Sequence, residues 1–444
     1  MARYDNRNSL ILGAGRSGLA AARLLLERGG RVAVVDENWP GSSLADFSTE
    51  GISCLSSDHD HLPDGAYDLV IVSPSIPLTH PWITIARQRG LAMISELELG
   101  ANYWKGEAIA VTGSKGKSSV IKCLTDTLNL AGIPAVTAGN YGIPLCARVL
   151  ECENAGVGVM AVTEVSSFQL EHTRTFAPTL AAILNIQADH LDRHETLEAY
   201  STLKRRIFQA QVAGKATAFL PKEISILGVP QGVPVETFGT KPWDTWRYHE
   251  QSVIHGEASI PVVGFFNNKV LGPAAALITA MLTHLGVAPE IIAKGFAEFK
   301  PLPHRMQRLG AIKGVTVIDD SKATSLTATQ AALKMITPAK AHLIAGGQLK
   351  EDDLDFLDLE LSKSVKKAYL IGEAAPALYE AWEDLCDCEQ CGDMKTAVDH
   401  ALANAVEGDV LLLSPGCASF DQYDGMAKRG EHFKACVEAH APLA

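Results

Sequence analysis

Three successive α/β domains are predicted by three features of this 444-residue chain. A GxGxxG turn follows the apolar run SLIL near the N-terminus, and RVAVVD follows the helical stretch after it. A second glycine turn, GSKGKSS, follows the apolar run AIAV, and four further apolar strands alternate with helical stretches beyond residue 310. The expectation is a Rossmann-like domain over 1–96, a central P-loop ATPase-like domain over 97–301 and a C-terminal Rossmann-like domain over 302–444.

In the first domain the order is strand, helix, strand, with Gly13, Gly15 and Gly18 in the turn and Asp36 ending the second strand. The strand LVIVS follows, and SELELGA near residue 95 reads as the connection to the next domain. The middle domain continues through helical VIKCLTDTLNLAG and the strands GVMAVTEVSS and LAAILNI. Residues 214–265, rich in Pro, Gly and Val, predict short strands before an apolar helix over Leu271–Leu285. The two prolines of KPLPHR mark the last junction, and GVTVIDDS, AHLIAGG, KKAYLIG and DVLLLS supply the strands beyond it.

The GSKGKSS turn carries the clearest chemistry. Gly113 and Gly116 let successive N–H groups point at one centre, and the following helix adds its positive end. Ser114, Lys115 and Ser119 belong to the same cradle, Lys117 is placed to reach terminal phosphates, and the Ser118 hydroxyl to ligate magnesium. Only two residues separate Gly113 from Gly116, where the general Walker pattern has four before its GK, so the turn is unusually short. Glu164, ending the strand in TEVSSFQLE, stands where a magnesium carboxylate is wanted. NIQADHLDRH (185–194) crowds two aspartates, two histidines and an arginine at another strand end, as at the ligand crevice of an open sheet. AYSTLKRRIF (199–208) is helical and basic at 204–206. In the last domain LPHR, VIDDSKATS, AGGQLK and SPGCASFDQY combine small residues with charge at strand ends, which marks binding loops. A phosphate-binding domain between two ligand-loaded ones suggests ATP held between domains.

Composition excludes several classes. The net charge of −12 argues against nucleic acid, which needs a basic face. No apolar run approaches the ~18 residues of a membrane span, and MARYDNRNSL has no signal-peptide core, so a cytoplasmic protein without membrane insertion is expected. A monomer working on small molecules is the expected state. The cysteine run CDCEQC (386–391) lacks a fourth ligand at zinc spacing, so no metal is assigned there and reduced thiols are expected.

GSKGKSS, TEVSSFQLE, NIQADHLDRH, YSTLKRRIF, LPHR, DDSKATS and SPGCASFDQ, in that order, resemble the Mur ligases over nearly the whole chain. The resemblance implies an ATP-dependent amide ligase of peptidoglycan precursor synthesis. It would act on UDP-N-acetylmuramoyl-L-alanine, glutamate and ATP with two magnesium ions. It places Ser118 and Glu164 on one magnesium, and His190 with Lys204, as a carbamate, on the other. A carbamate needs a neutral amine, which Arg205 and Arg206 would favour as neighbouring cations. The resemblance further implies adenosine and phosphate contacts from Asn268, Arg305 and Asp320. It assigns the glutamate pocket to Lys322, Thr324, Lys350, Ser419, Phe420 and Met426, with Lys322 among the catalytic residues. Arg16, Ser17, Asp36 and Glu37 would receive the uridine diphosphate, and Ser73, Asn140 and His190 would continue its sugar-phosphate path.

The chain departs from the family pattern at Lys115, usually asparagine, at Asn267-Asn268 and Leu271 in the HN-x-x-N element, and at Ser75. Ser325, the GGQLK loop and Met426 differ near the amino-acid pocket, so L-glutamate or another amino acid is the alternative acceptor. A nicotinamide dehydrogenase would explain the GxGxxG turn but leaves GSKGKSS without a purpose. A binding protein that had lost catalysis would not need Glu164, His190 and Lys204 together.

Overall fold

The computed structural model describes residues 4–39, 47–153, 158–349 and 354–443. Two compact units emerge: Met1–Asn267 with Leu271–Phe299, and Asn268–Val270 with Lys300–Ala444.

The first unit holds two sheets. One is built from β1 (Asn8–Leu12), β2 (Arg31–Asp36), β3 (Ser53–Ser56), β4 (Leu69–Val72) and β5 (Ala92–Ser95) in the order β3-β2-β1-β4-β5. All four pairings are parallel, giving a doubly wound sheet whose switch point lies between β1 and β4. The glycine turn leaves β1 at that point. A Cβ on Gly18 would stand 2.2 Å from the Gly13 carbonyl oxygen, so helix Arg16–Glu27 packs this close to the turn only with glycine there.

The second sheet has β6 (Ala108–Thr112), β7 (Ala135–Gly139), β8 (Met160–Glu164), β9 (Leu180–Ile183) and β10 (Thr217–Leu220), then β11 (Val235–Gly239), β12 (Trp246–His249), β13 (Ser252–His255) and β14 (Ala258–Pro261). Its order is β14-β13-β12-β11-β10-β9-β6-β8-β7, so the low-periodicity stretch after residue 214 extends the middle sheet. The β12-β13 and β13-β14 pairs are antiparallel, which their tight connections require. Central strands are apolar on both faces because helices cover both sides. Helix Gly272–His284 is apolar all round, with Leu277, Ile278, Met281 and Leu282 fully buried beside helix Lys117–Leu130.

The connection at residue 95 is a helix, Glu96–Tyr103, capped by Ser95 Oγ accepting from Glu98 N–H at 3.1 Å. The buried Glu98 carboxylate accepts backbone N–H groups of Arg174, Thr175 and Phe176 at 2.9, 2.9 and 3.2 Å. The linker is thereby fastened to the middle sheet's loops.

In the second unit β15 (Gln307–Ile312), β16 (Val315–Asp319), β17 (Ala341–Gly346), β18 (Val365–Ile371), β19 (Asp387–Gly392) and β20 (Val410–Leu413) run in the order β15-β16-β20-β17-β18-β19. Only β15 is antiparallel to its neighbour. All of the CDCEQC run but Cys386 lies in the edge strand β19; backbone pairing with β18 outweighs its polar composition.

Candidate functional site

Three adjacent strands, β8, β6 and β9, deliver the chemistry to one edge of the middle sheet. After β6, Gly116 takes φ +82°, a left-handed conformation suited to glycine, and becomes the cap of helix Lys117–Leu130. The turn is clamped from β9 by Asn185. Its Oδ1 accepts the backbone N–H of Ser114 at 3.0 Å and of Lys115 at 2.9 Å, and its Nδ2 donates to the Lys115 carbonyl at 3.0 Å. Ser114 Oγ donates to the Gln187 carbonyl at 3.0 Å and lies 3.3 Å from the Tyr200 hydroxyl. Lys117 Nζ folds over the loop onto the Gly113 and Ser114 carbonyls at 2.7 and 3.0 Å. Ser118 and Ser119 are buried in the first turn of the helix. Lys115, the departure from the family asparagine, points its Nζ to Asp189 at 3.4 Å.

Glu164 ends β8 and is 2 % exposed. Its Oε1 accepts from Asn140 Nδ2 at 2.7 Å, while its Oε2 is buried without a hydrogen-bond partner among the described residues. A buried carboxylate oxygen left in this way is costly unless a cation answers it. A carboxylate oxygen is a hard donor of the kind that suits magnesium. Asn140, expected on the sugar-phosphate path, is the residue that orients this carboxylate.

Lys204 lies on helix Leu197–Arg205, 1 % exposed, with Nζ 3.0 Å from the Gly113 carbonyl and 4.5 Å from the Tyr200 ring centre. Burial, then the Lys117 ammonium, brings its amine down to about 7, so the neutral form that a carbamate requires is accessible near neutrality. The cation responsible is Lys117 rather than Arg205 or Arg206. Helical rotation turns those two away, Arg205 onto Ser201 and Thr202, Arg206 onto the Leu170 and Glu171 carbonyls. His190 stands exposed at φ +55°, its ring 4.9 Å from Phe168 and its Nε2 3.9 Å from Asp189. The next residues swing back: Arg193 holds Glu171 at 3.0 Å and donates to the Pro74 and Ile76 carbonyls of the first sheet at 2.7 and 2.9 Å.

At the first sheet's switch point, Ser73 Oγ donates to the Gly13 carbonyl at 3.2 Å. Asp36 accepts from the Ala14 and Asn38 N–H groups at 2.6 and 2.9 Å, so it supports the turn itself. Arg16 donates to the Gly142 carbonyl at 2.6 Å, and Ser17 sits partly buried beside it in the helix. Glu37 Oε1 meets His59 Nδ1 at 2.7 Å and His80 Nε2 at 3.2 Å; the His59 hydrogen bond holds its carboxyl below the usual range.

In the second unit β16, β20 and β17 are adjacent and bring their loops together. Asp320 is buried, accepting from Met306 N–H at 3.0 Å and Ser414 Oγ at 2.9 Å, and burial raises its carboxyl to about 7. Lys322 N–H donates to the His304 carbonyl at 3.0 Å, and Thr324 N–H closes the loop onto Lys322 at 2.9 Å. Ser325 takes the cap of helix Leu326–Ile336, which accounts for a residue other than asparagine being accommodated there. Ser419 is buried, Phe420 is exposed, and Met426 opens helix Met426–Glu438, its carbonyl accepting from Ser321 Oγ at 2.7 Å. Arg305 donates its N–H to the Leu302 carbonyl, and Asn268 Oδ1 accepts from Val270 N–H. Lys350 lies outside the described residues.

Sequence reasoning passed over the buried Arg429. Its guanidinium donates to Ser321 Oγ (3.1 Å), Ser321 O (2.9 Å), Cys417 O (3.0 Å), Ala418 O (3.3 Å) and Gly346 O (3.4 Å). It therefore knots three of the four binding loops, and only its place in an ordinary charged helix hid it. Asn185 was inside a recognised cluster, but nothing in its spacing said that it clamps the phosphate turn.

Fold and site define a P-loop-type nucleotide-binding α/β protein with a doubly wound domain before it and another after it. Residues 7–95 match the MurD-like N-terminal domain of Mur ligases, 111–268 the Mur ligase middle domain, and 304–417 the Mur ligase glutamate ligase domain. The UDP-N-acetylmuramoylalanine–D-glutamate ligase of Acidobacterium capsulatum is 35% identical over 97% of this chain and 96% of its own. The enzyme of that name from Koribacter versatilis is 33% identical over 97% of each. The structure of MurF ligase from Thermotoga maritima in complex with ADP shares the fold, with a TM-score of 0.60, 18% identity, and coverage of 93% of this chain and 96% of that one. The chain belongs to the Mur ligase family and is an ATP-dependent amide-forming ligase.

Proposed function

We propose that this ligase joins D-glutamate to UDP-N-acetylmuramoyl-L-alanine with consumption of ATP, as a cytoplasmic monomer making peptidoglycan precursor. The supporting observation is the juxtaposition of the phosphate turn with the unanswered Oε2 of Glu164 and the buried Lys204, in a chain matching D-glutamate ligases end to end.

A carboxylate is a poor electrophile at neutral pH. Transfer of the γ-phosphoryl of ATP to the alanine carboxylate oxygen releases ADP and supplies a leaving group. The glutamate amine then attacks the acyl carbon, losing its proton as the tetrahedral intermediate collapses and phosphate departs. Gly113 to Ser119 provide the N–H groups, and Lys117 would exchange its bonds to the Gly113 and Ser114 carbonyls for phosphate oxygens. Magnesium bound by Ser118 and Glu164 would neutralise phosphate charge, with Asn140 fixing the carboxylate's orientation. Lys204 as its carbamate, with His190, would hold a second ion. Asn268, Arg305 and Asp320 take the adenosine and phosphate roles. Arg16, Ser17, Asp36, Glu37 and Ser73 form the uridine diphosphate site. Lys322, Thr324, Lys350, Ser419, Phe420 and Met426 receive glutamate.

Phosphate release measured with ATP, magnesium and UDP-N-acetylmuramoyl-L-alanine decides the reading. D-glutamate should trigger it and L-glutamate should not. Absence of release with every amino acid overturns the assignment, and release with L-glutamate alone overturns the stereochemical part.

A further inference from the structure

Where the edge strand of the last sheet meets the helix after it, Glu389, Cys391 and His400 place one ligand atom each within 4.8 Å of the others. We propose that these three residues form a zinc-type divalent metal site that fastens β19 to helix Met394–Asn404.

The donor set is the first argument. A thiolate, an imidazole and a carboxylate are the ligands of zinc sites, and thiolate with carboxylate would neutralise a doubly charged ion. Donors around a tetrahedral zinc stand about 3.3–3.8 Å apart, given bonds of about 2.0–2.3 Å, so the present spread needs only a small contraction. Glu389 Oε1 and His400 Nδ1, now 2.5 Å apart across a shared proton, would open by under about 1 Å as a cation replaced that proton.

The backbone supplies the second argument. Leu370 pairs with Gln390 and Ile371 with Gly392, so Cys391 sits at an irregularity with no residue opposite it. Alternation along β19 puts Cys391 on the same face as Glu389 and opposite to Cys388. Cys391 thus joins the apolar cluster containing Tyr369 and Val398, on the face that helix Met394–Asn404 covers. Cys386 and Cys388 pack into the cluster on the other face, their sulfurs 3.7 Å apart. Lys367 Nζ holds Glu389 Oε2 at 3.0 Å, leaving Oε1 to face the ion, an outer-shell arrangement that orients a ligand.

Glu37, His59 and His80 also cluster, but His80 cannot serve. Its Nδ1 accepts the Trp82 N–H at 3.2 Å, so its Nε2 carries the proton and offers Glu37 a donor instead of a lone pair. His400 commits only Nδ1, to a carboxylate that would share the ion.

The test is cobalt titration of the full-length protein in excess magnesium, read by the near-ultraviolet thiolate-to-cobalt charge-transfer band, which magnesium sites lacking sulfur do not give. One equivalent should develop the band. Cys391→Ser should abolish it, and His400→Ala, at an exposed position that the fold tolerates, should weaken binding by about tenfold or more. Cys386→Ser/Cys388→Ser should leave it intact. Zinc should also raise the unfolding midpoint of the parent and not of Cys391→Ser. No band, or a band that survives Cys391→Ser and disappears in the Cys386→Ser/Cys388→Ser variant, overturns the site.

Discussion

Lys117 and Lys204 donate to one and the same acceptor, the Gly113 carbonyl oxygen, at 2.7 and 3.0 Å. Lys204 is enclosed, and two ammonium groups on one oxygen also repel. That combination brings its amine down to about 7. The enzyme therefore carries an energetic penalty at the base of its phosphate turn, and the penalty has a measurable counterpart.

Lys204→Met removes a charge whose folded-state pKa is depressed, so it should leave the unfolding midpoint at or above that of the parent below pH 7. Phosphate release should nevertheless fall by about 10²–10³-fold, the scale of losing one preorganised electrostatic group. A variant that keeps activity in bicarbonate-free buffer removes Lys204 from the catalytic set.

Asn185→Ala should loosen the phosphate turn: the Lys115 N–H loses its acceptor, while the Ser114 N–H keeps the Asn185 backbone carbonyl at 3.1 Å, at a cost of about 1–3 kcal/mol. Asn185→Asp keeps the acceptor but puts a negative charge beside the phosphates. We expect its KM for ATP to rise more than its stability falls, which steady-state kinetics beside a thermal melt will separate. Equal ATP affinity in the Asp variant and the parent would contradict the clamp's position.

Glu96 gives a pH signature. Its Oε1 accepts the Cys146 N–H at 2.6 Å, yet burial raises its carboxyl to about 7. A raised carboxyl pKa means that the native state binds the proton more tightly than the unfolded chain. Its contribution is thus fully present below about pH 4.5 and fades as pH climbs through 7, about 3 kcal/mol in all. Glu96→Gln should flatten that part of the stability–pH curve and raise the midpoint at pH 8. An unchanged slope in denaturation from pH 5 to 8 would refute it.

Arg429→Lys keeps a cation but loses the planar fork that serves five oxygens. Glutamate KM should rise about tenfold or more and ATP KM by less, because two of the three loops tied by Arg429 carry only proposed amino-acid residues while the third, through Ser321, also carries Asp320. Parallel loss of both affinities would make Arg429 a general stability residue.

The sequence made the strand-end loops legible because glycine turns and apolar strands are local signals. Gly113 to Ser119, Glu164 and Asp320 accordingly lie where strand ends were expected. The antiparallel extension β12 to β14 and the edge strand β19 were faint, since their short, mixed polar and apolar runs carry little periodicity and are held by pairing with adjoining strands. Site partners were fainter still. Asn185 clamps a turn 70 residues away, and Arg429 bonds Ser321 across 108; no period or spacing encodes such pairs. Asp36 shows the reverse case: its expected role was a ligand contact, and its support of its own turn through the Ala14 N–H was not legible.

Arg193 and Arg16 pin the first sheet's loops to the middle domain from opposite sides, at Pro74, Ile76 and Gly142. With the Glu98 fastening of the linker, they make those two domains a caliper of set opening. On the proposed placement of the nucleotide-linked substrate at the Gly13–Ser73 turn, its reactive end would be offered at a reach fixed by its own length. Selection among precursors bearing shorter or longer peptide stems becomes a matter of measurement as well as recognition.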